Sequence, residues 1–343
     1  MKSSIRLLLA LLMVTLVAGG IYVYNTVMGG GVPLQLANRF VEIPTGSTFD
    51  EVTKVLKNQG IIHNEKVFRA VATRMEYPRT PMRSGRFEVK PGWSVIQLVR
   101  HLRSGPQAPV ELVLTNERMV ENVAAKAARF IEPDSLAILS LLQDEAYIQN
   151  LGYNRHHLMT LFIPNTYQVF WNITPQQFVE RMQKEHDAFW NKNNRLQKAE
   201  ALGMTPAEVY TLASIVEKET NQNVEKARIA GVYLNRLRIG MRLQADPTAV
   251  FATRDFETRR VTEYHLKFDS PYNTYMYAGL PPGPIAMSSI ASIDAVLNPE
   301  QHDYIFFCAI GDESGLHAFA KTLAEHNQNV ARYVRNLRER GLR

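Results

Sequence analysis

The sequence predicts an α+β chain carried behind one apolar N-terminal segment, and three observations lead there. The 343 residues are 45% hydrophobic and 21% charged, a balance that suits a globular chain rather than a disordered one. The first two dozen residues hold an uncharged apolar run about as long as a bilayer is thick. Beyond it, short β-rich segments alternate with amphipathic helical patterns between Pro and Gly turns. The length suits two or three domains. A formal net charge of +6 suits an acidic partner such as nucleic acid, an anionic membrane or a carboxylate-bearing polymer. The basic residues are dispersed and form no nucleic-acid module, so no nucleic-acid partner is expected. The single cysteine, Cys308, excludes an intramolecular disulfide and a cysteine-rich metal site.

Taken in order, "MKSSIRLLLALLMVTLVAGGIYVYNT" has Lys2 and Arg6 and then no further charge. As a helix, Leu7 to Tyr24 would span about 27 Å, close to the hydrocarbon core of a membrane. The basic start predicts a cytoplasmic N-terminus, with Tyr22 and Tyr24 at the far interface. A cleaved signal peptide is the rival, because Ala18 and Gly20 form a weak small-x-small site. The apolar run continues past that site and favours an uncleaved anchor, so residues 1–24 are expected to be a cytoplasmic stub and a single transmembrane helix. Everything later is then extracytoplasmic, at the inner membrane. Residues 25–36, with "MGGGVP", read as a flexible linker.

Residues 37–110 carry one pattern twice. "FVEIPTGSTFDEVTKVLKNQGII" and "FEVKPGWSVIQLVRHLRSG" align Gly46 with Gly92, Thr48 with Ser94, Val52 with Leu98 and Leu56 with Leu102. The glycine makes a tight turn and the hydroxyl caps the helix that follows. With "NEKVFRAVATRME" as a helix between them, the module reads strand, helix, helix, strand, then a further helix. This resembles a LysM-like module, which implies binding of N-acetylglucosamine-containing glycan.

From residue 111 to 343 a larger mixed region follows, including a β-rich "DYIFFCAI" and a basic C-terminal helix with a solvated face. Its strongest local signal is "TPAEVYTLASIVEKET". Thr205 caps a helix, Pro206 takes the first position and Glu208 completes a capping box. Val209, Leu212, Ala213 and Val216 form the buried stripe, with Glu217 and Glu219 on its opposite edges. Periodicity does not choose between the two carboxylates. No HExxH-like spacing, phosphate-cradling Gly loop or GxSxG elbow occurs, so neither metal nor cofactor is expected.

"ASIVEKE", "NRLRIGMRLQADPT", "YNTY" with "GLPPGPI", and "GLHAFAKTLAEHN", in this order, closely resemble the endolytic murein transglycosylases, the YceG-like family of single-pass envelope proteins. The resemblance implies a larger mixed α/β catalytic domain over 111–343. It also implies cleavage of the MurNAc-β-1,4-GlcNAc bond of nascent peptidoglycan strands, leaving 1,6-anhydroMurNAc ends and terminating elongation beside glycan polymerases. It makes Glu217 the catalytic acid/base. That role leads one to expect a Glu217 pKa raised from about 4.3 towards 6 by apolar neighbours. Glu219 would orient a group or touch substrate. Gln244, Asp246 and Thr248 are candidates for sugar hydroxyls, with Asp246 also a plausible helix cap. Asn235 and Arg236 are candidates for muramyl lactate or peptide carboxylates. Tyr272 and Tyr275 offer stacking faces, and Asn273 and Thr274 polar contacts. In "LFIPNTYQVFW", Asn165 stands where the family commonly has Asp, and Tyr167 could stack. His317 is expected to be structural. The rival functions are a hydrolytic muramidase, with Asp246 or Glu219 as second carboxylate, and a non-catalytic wall-binding scaffold.

Overall fold

The computed structural model describes residues 11–21, 24, 29, 31–258 and 260–342. Residues 11–21 are helical, and Leu11, Met13, Val14 and Leu16 expose their side chains. The remainder of the expected anchor lies outside the described residues. Among the described residues, no helix is long and apolar enough to cross a membrane.

The chain divides into two compact units. The first comprises Met1–Leu112, Phe130–Pro133 and Gln168–Thr174, and the second Val113–Arg129, Asp134–Tyr167 and Pro175–Arg343.

In the first unit, β1 (Phe40–Ile43) pairs antiparallel with β2 (Gly85–Glu88), Phe40 opposite Glu88. Between them run α1 (Phe49–Asn58) and α2 (Glu65–Arg74), and α3 (Val95–Ser104) follows. The two aligned helix starts are built alike. The Thr48 hydroxyl accepts from Glu51 N–H while the Glu51 carboxylate accepts from Thr48 N–H at 2.7 Å. Ser94 and Gln97 repeat the exchange, Gln97 accepting from Ser94 N–H at 2.8 Å. Gly46 and Gly92 precede the caps at φ 83° and 77°, the left-handed region that only glycine enters without strain. Strand alternation turns Val41 and Ile43 inward onto Val52, Leu56, Leu98 and Leu102, all fully buried.

Strands β3 (Val110–Leu114) and β4 (Asn165–Val169) pair with one another. In the second unit, helices α4 (Val120–Ala127), α5 (Ser135–Gln143), α6 (Glu145–Asn150), α7 (Pro175–Trp190) and α8 (Arg195–Ala201) precede the central helix α9, Pro206–Glu219. The capping box of Thr205 and Glu208 forms, with Pro206 in the first turn. Every residue from Val209 to Val216 is buried, wider than the expected stripe. The reason is that α9 is covered on several sides, by α10 (Asn223–Arg238), α11 (Asp246–Thr253) and α13 (Ile290–Leu297). Helix α12 (Glu263–Lys267) precedes α13. The segment before α13 is stitched onto α9 by polar bonds. Ile285 N–H donates to the Ser214 hydroxyl at 3.0 Å, and the Ser288 hydroxyl donates to the Tyr210 carbonyl at 3.0 Å. These bonds lead into α13, whose N-cap is Ser289.

"DYIFFCAI" supplies β5 (Phe306–Ala309), antiparallel to β6 (His317–Ala320). The basic helix α14 (Leu323–Glu339) buries no residue, as a solvated face requires.

Candidate active site

At about 100° per residue, Glu217 and Glu219 leave the last turn of α9 on nearly opposite sides, and the fold gives each its own surroundings. Glu217 faces the start of α13. Its Oε2 accepts from Lys226 Nζ at 2.9 Å, from Ser289 Oγ at 2.5 Å and from Ser292 Oγ at 2.5 Å. Both partners of the ion pair are withdrawn from solvent, the Glu217 side chain 11% and the Lys226 side chain 6% exposed. Burial alone pushes the Glu217 carboxyl up, but the three donors together outweigh it and hold the pKa below its ordinary value. The expectation of a raised Glu217 pKa is therefore corrected. Its neighbours are donors rather than apolar groups.

Glu219 faces α10. Its Oε1 accepts from the Tyr233 hydroxyl at 2.6 Å, the only bond to it among the described residues. The side chain keeps some accessible surface, yet protein atoms crowd its carboxyl. That crowding pushes its pKa up to about 7. The Asp246 charge adds to the rise, and the Tyr233 bond and Arg236 charge oppose it. These surroundings favour the protonated form of Glu219 more than those of an exposed carboxyl would.

Asp246 and Tyr275 border this site. The Tyr275 hydroxyl donates to Asp246 Oδ1 at 2.5 Å. Asp246 is the first residue of α11 and Ala245 occupies the N-cap, so the expected cap role is corrected. Gln244 sits in a left-handed conformation, φ 48°, with its side chain exposed.

Several expected sugar contacts are turned inward instead. Asn235 donates to the carbonyls of His302 and Tyr304 at 2.8 and 3.0 Å. Arg236 is buried and donates to the carbonyls of Ile305 and Leu243 at 2.7 and 2.5 Å, so its guanidinium is not offered to a substrate carboxylate. Thr248 and Thr274 share a hydroxyl bond at 2.8 Å in the core, and Thr274 also accepts from Ala245 N–H. The Asn273 amide donates to the carbonyls of His265, Leu266 and Phe268 and is fully buried. Tyr167 is buried with its hydroxyl donating to the Ile163 carbonyl, so it offers no stacking face. Tyr272 packs on Phe251, ring centroids 4.8 Å apart, and meets His156 Nδ1 at 3.1 Å. Asn165 is exposed and accepts from Thr166 N–H. The buried ones among these residues hold the framework around the site together, because a buried polar group must find a partner. His317 is structural, its Nδ1 3.0 Å from Glu225 Oε2.

Tyr233, Lys226, Ser289 and Ser292 were not legible as site residues. The two serines lie 72 and 75 positions from Glu217, and nothing local marks them. A cavity of about 1050 Å³ opens at the other end of α9, beside Thr205 and Glu208, away from both glutamates. A smaller one of about 230 Å³ is lined by Lys218 and Asp246 and belongs to the glutamate end.

The model of the YceG-like family matches residues 41–332. The chain is 28% identical over 317 residues to an endolytic murein transglycosylase of Bacillus subtilis (strain 168), covering 88% of this chain and 86% of the relative. It is 26% identical over 350 residues to an endolytic murein transglycosylase of Streptococcus pneumoniae serotype 2 (strain D39 / NCTC 7466), covering 92% of this chain and 63% of that longer relative. The crystal structure of a YceG-like protein from Listeria monocytogenes superposes with a TM-score of 0.57 at 29% identity, over 84% of this chain and 97% of that one.

Proposed function

The chain belongs to the YceG-like family, and from that premise we propose that it is an endolytic murein transglycosylase in which Glu217, the first glutamate of "EKE", is the acid/base. The observation that carries the reading is the cluster of Lys226, Ser289 and Ser292, which fixes the Glu217 carboxyl against the start of α13. Glu219, bonded to Tyr233 on the other side of α9, is read as a positioning group.

One carboxyl suffices for the reaction. Protonated Glu217 gives its proton to the glycosidic oxygen of the β-1,4 bond between N-acetylmuramic acid and N-acetylglucosamine. The muramyl C6 oxygen attacks the anomeric carbon as the leaving oxygen departs, and the C6 hydroxyl proton passes to the Glu217 carboxylate. A 1,6-anhydro ring closes, no water is consumed, and Glu217 is again protonated. Lys226, Ser289 and Ser292 stabilise the carboxylate in the interval. Gln244 and Asp246, with exposed side chains beside this end of α9, are read as sugar contacts. The Lys226–Glu217 pair holds α9, α10 and the start of α13 in register.

The membrane reading rests on Lys2 and Arg6 before the apolar run, and on a helix over residues 11–21 whose exposed apolar side chains suit lipid. An anchored enzyme reaches strands near the bilayer, which favours internal cuts in nascent glycan beside the polymerases that extend it. The strand, helix, helix, strand order of the first unit supports the reading of a LysM-like glycan-binding module.

The test is product analysis of uncrosslinked strands digested by purified protein. Anhydro ends are expected by mass spectrometry. Reducing ends alone would establish a hydrolytic muramidase, and binding without cleavage a scaffold.

A further inference from the structure

The smaller cavity, about 230 Å³ at the glutamate end of α9, is walled by Val250, Phe251 and Phe256 and edged by Arg118, Lys218 and Asp246. Apolar walls with a few polar groups suit a pyranose, whose C–H faces want apolar surface and whose hydroxyls want donors. The volume is less than that of a whole-ligand pocket and in keeping with a single amino-sugar ring. Its charge is lopsided. The Arg118 guanidinium lies over the Phe256 ring, 4.4 Å from its centroid, which holds its plane and leaves its N–H edge available. Neither Arg118 nor Lys218 donates a hydrogen bond or joins an ion pair among the described residues. The lining carboxylate, Asp246, already accepts from the Tyr275 hydroxyl, and Glu217 pairs with Lys226 rather than with Lys218. Burial and then the Arg118 charge hold the Lys218 ammonium below its ordinary pKa, with Glu217 pulling the other way. Two cations thus face one carboxylate.

We propose that this cavity seats one N-acetylated sugar ring of the glycan strand, and that Arg118 and Lys218 make it refuse a ring whose nitrogen is a free ammonium. The inference rests on the reading of Glu217 as the acid/base of a glycan-cutting site. Lys218 follows Glu217 in the chain and feels its charge, so a ring held here lies next to the bond being cut. An acetamido group is neutral. Its carbonyl accepts from either cation, and its methyl lies on the apolar wall. Removing the acetyl group turns that acceptor into a cation with donors only, beside two cations whose N–H groups then have nothing to meet. Asp246 does not balance the pair, because it brings one negative charge against two positive ones and already accepts from Tyr275. Selectivity here comes from an unfavourable contact with the wrong sugar as much as from a good one with the right sugar. De-N-acetylated stretches of a strand are then left uncut.

The experiment compares three uncrosslinked substrates at pH 6, where a free amine is protonated. These are fully acetylated strands, strands stripped of acetyl groups on their glucosamine rings, and strands stripped on their muramyl rings. Wild type, Arg118→Met, Lys218→Met and the charge-keeping Arg118→Lys are assayed on each. Wild type should prefer acetylated strands over one stripped kind by ~10-fold in kcat/KM, since like charges in a half-buried site repel strongly. The kind that is refused identifies the ring seated in the cavity. Each Met variant should gain on the refused strands, so that the preference falls several-fold, and Arg118→Lys should keep it. A loss of packing alone would lower activity on all three alike, which separates charge from structure. High salt should narrow the wild-type preference as well. The same ratios, measured as equilibrium binding to the non-cleaving Glu217→Gln/Lys226→Met protein and its Arg118→Met and Lys218→Met derivatives, test the cavity apart from the chemistry. Selective binding without any cleavage by wild type would sink the transglycosylase reading and keep the subsite. Cleavage with no preference among the three substrates, or a preference that both Met variants retain, overturns the proposal.

Discussion

Glu217 and Glu219 are separated by one residue and titrate in opposite directions, so their substitutions should differ in kind. Glu217→Gln removes the group that gives and recovers the proton, and turnover per folded molecule should fall ~10²–10⁴-fold with glycan binding kept. Glu219→Gln should cost less, because that side chain acts through position or local charge. Burial holds the Glu219 carboxyl's pKa up, to about 7. A carboxyl whose folded pKa is raised above its ordinary 4.5 stabilises the fold fully at low pH, and that contribution is lost as pH rises towards about 7. Glu219→Gln should thus raise the melting temperature more at pH 8 than at pH 5. Equal changes at both would contradict the raised pKa. Tyr233→Phe removes a bond that favours the ionised form, so the pH above which Glu219→Gln becomes stabilising should move up. A pH dependence of stability that stays put would separate Tyr233 from Glu219. Glu217→Gln leaves Lys226 buried without its counter-ion and should cost about 3 kcal/mol of stability. Adding Lys226→Met should restore much of it in urea unfolding without restoring turnover. A Glu219 variant that is dead beside an active Glu217 variant would exchange the roles of the two carboxyls.

Helix starts were legible in the sequence because their chemistry is local. Thr48 with Glu51, Ser94 with Gln97 and Thr205 with Glu208 each close a capping box within four residues, and all three helices begin where those pairs place them. The partners of polar motif residues were not legible, because those partners are distant backbone groups. Asn235 is bonded to carbonyls 67 and 69 positions away, and a sequence does not distinguish that from an amide awaiting sugar. The same blindness hid the serines at Glu217 and left the choice between the two glutamates open to resemblance alone. Asn273 offers the sharpest element-level test. Its amide holds three carbonyls of the stretch from His265 to Phe268, and its Oδ1 accepts from Tyr275 N–H. Asn273→Ala strands buried acceptors and should cost about 2 kcal/mol in urea unfolding. If Asn273 bound sugar directly, the loss would appear instead as a raised KM in a protein of unchanged stability.

Over the whole chain, the +6 charge and the apolar N-terminal run act together. A cationic protein meets an anionic glycan and an anionic bilayer with the same sign, and both attractions weaken as salt screens them beyond about 10 Å at 0.1 M. Charge alone would therefore leave the protein on the membrane only at low ionic strength. An inserted helix would not release it at any salt, because apolar burial in lipid does not depend on ions. This difference makes the anchor testable apart from catalysis. Membranes from cells making the full chain should retain it through a high-salt wash and release it only to detergent. The orientation follows from Lys2 and Arg6 ahead of the run, since basic residues are retained on the cytoplasmic side. Protease added to intact spheroplasts should then digest the chain from the C-terminal side. A fusion tag ahead of Lys2 should stay protected until the membrane is opened. Release by salt would reduce the N-terminal segment to a peripheral contact, and a tag digested in intact spheroplasts would place the N-terminus outside.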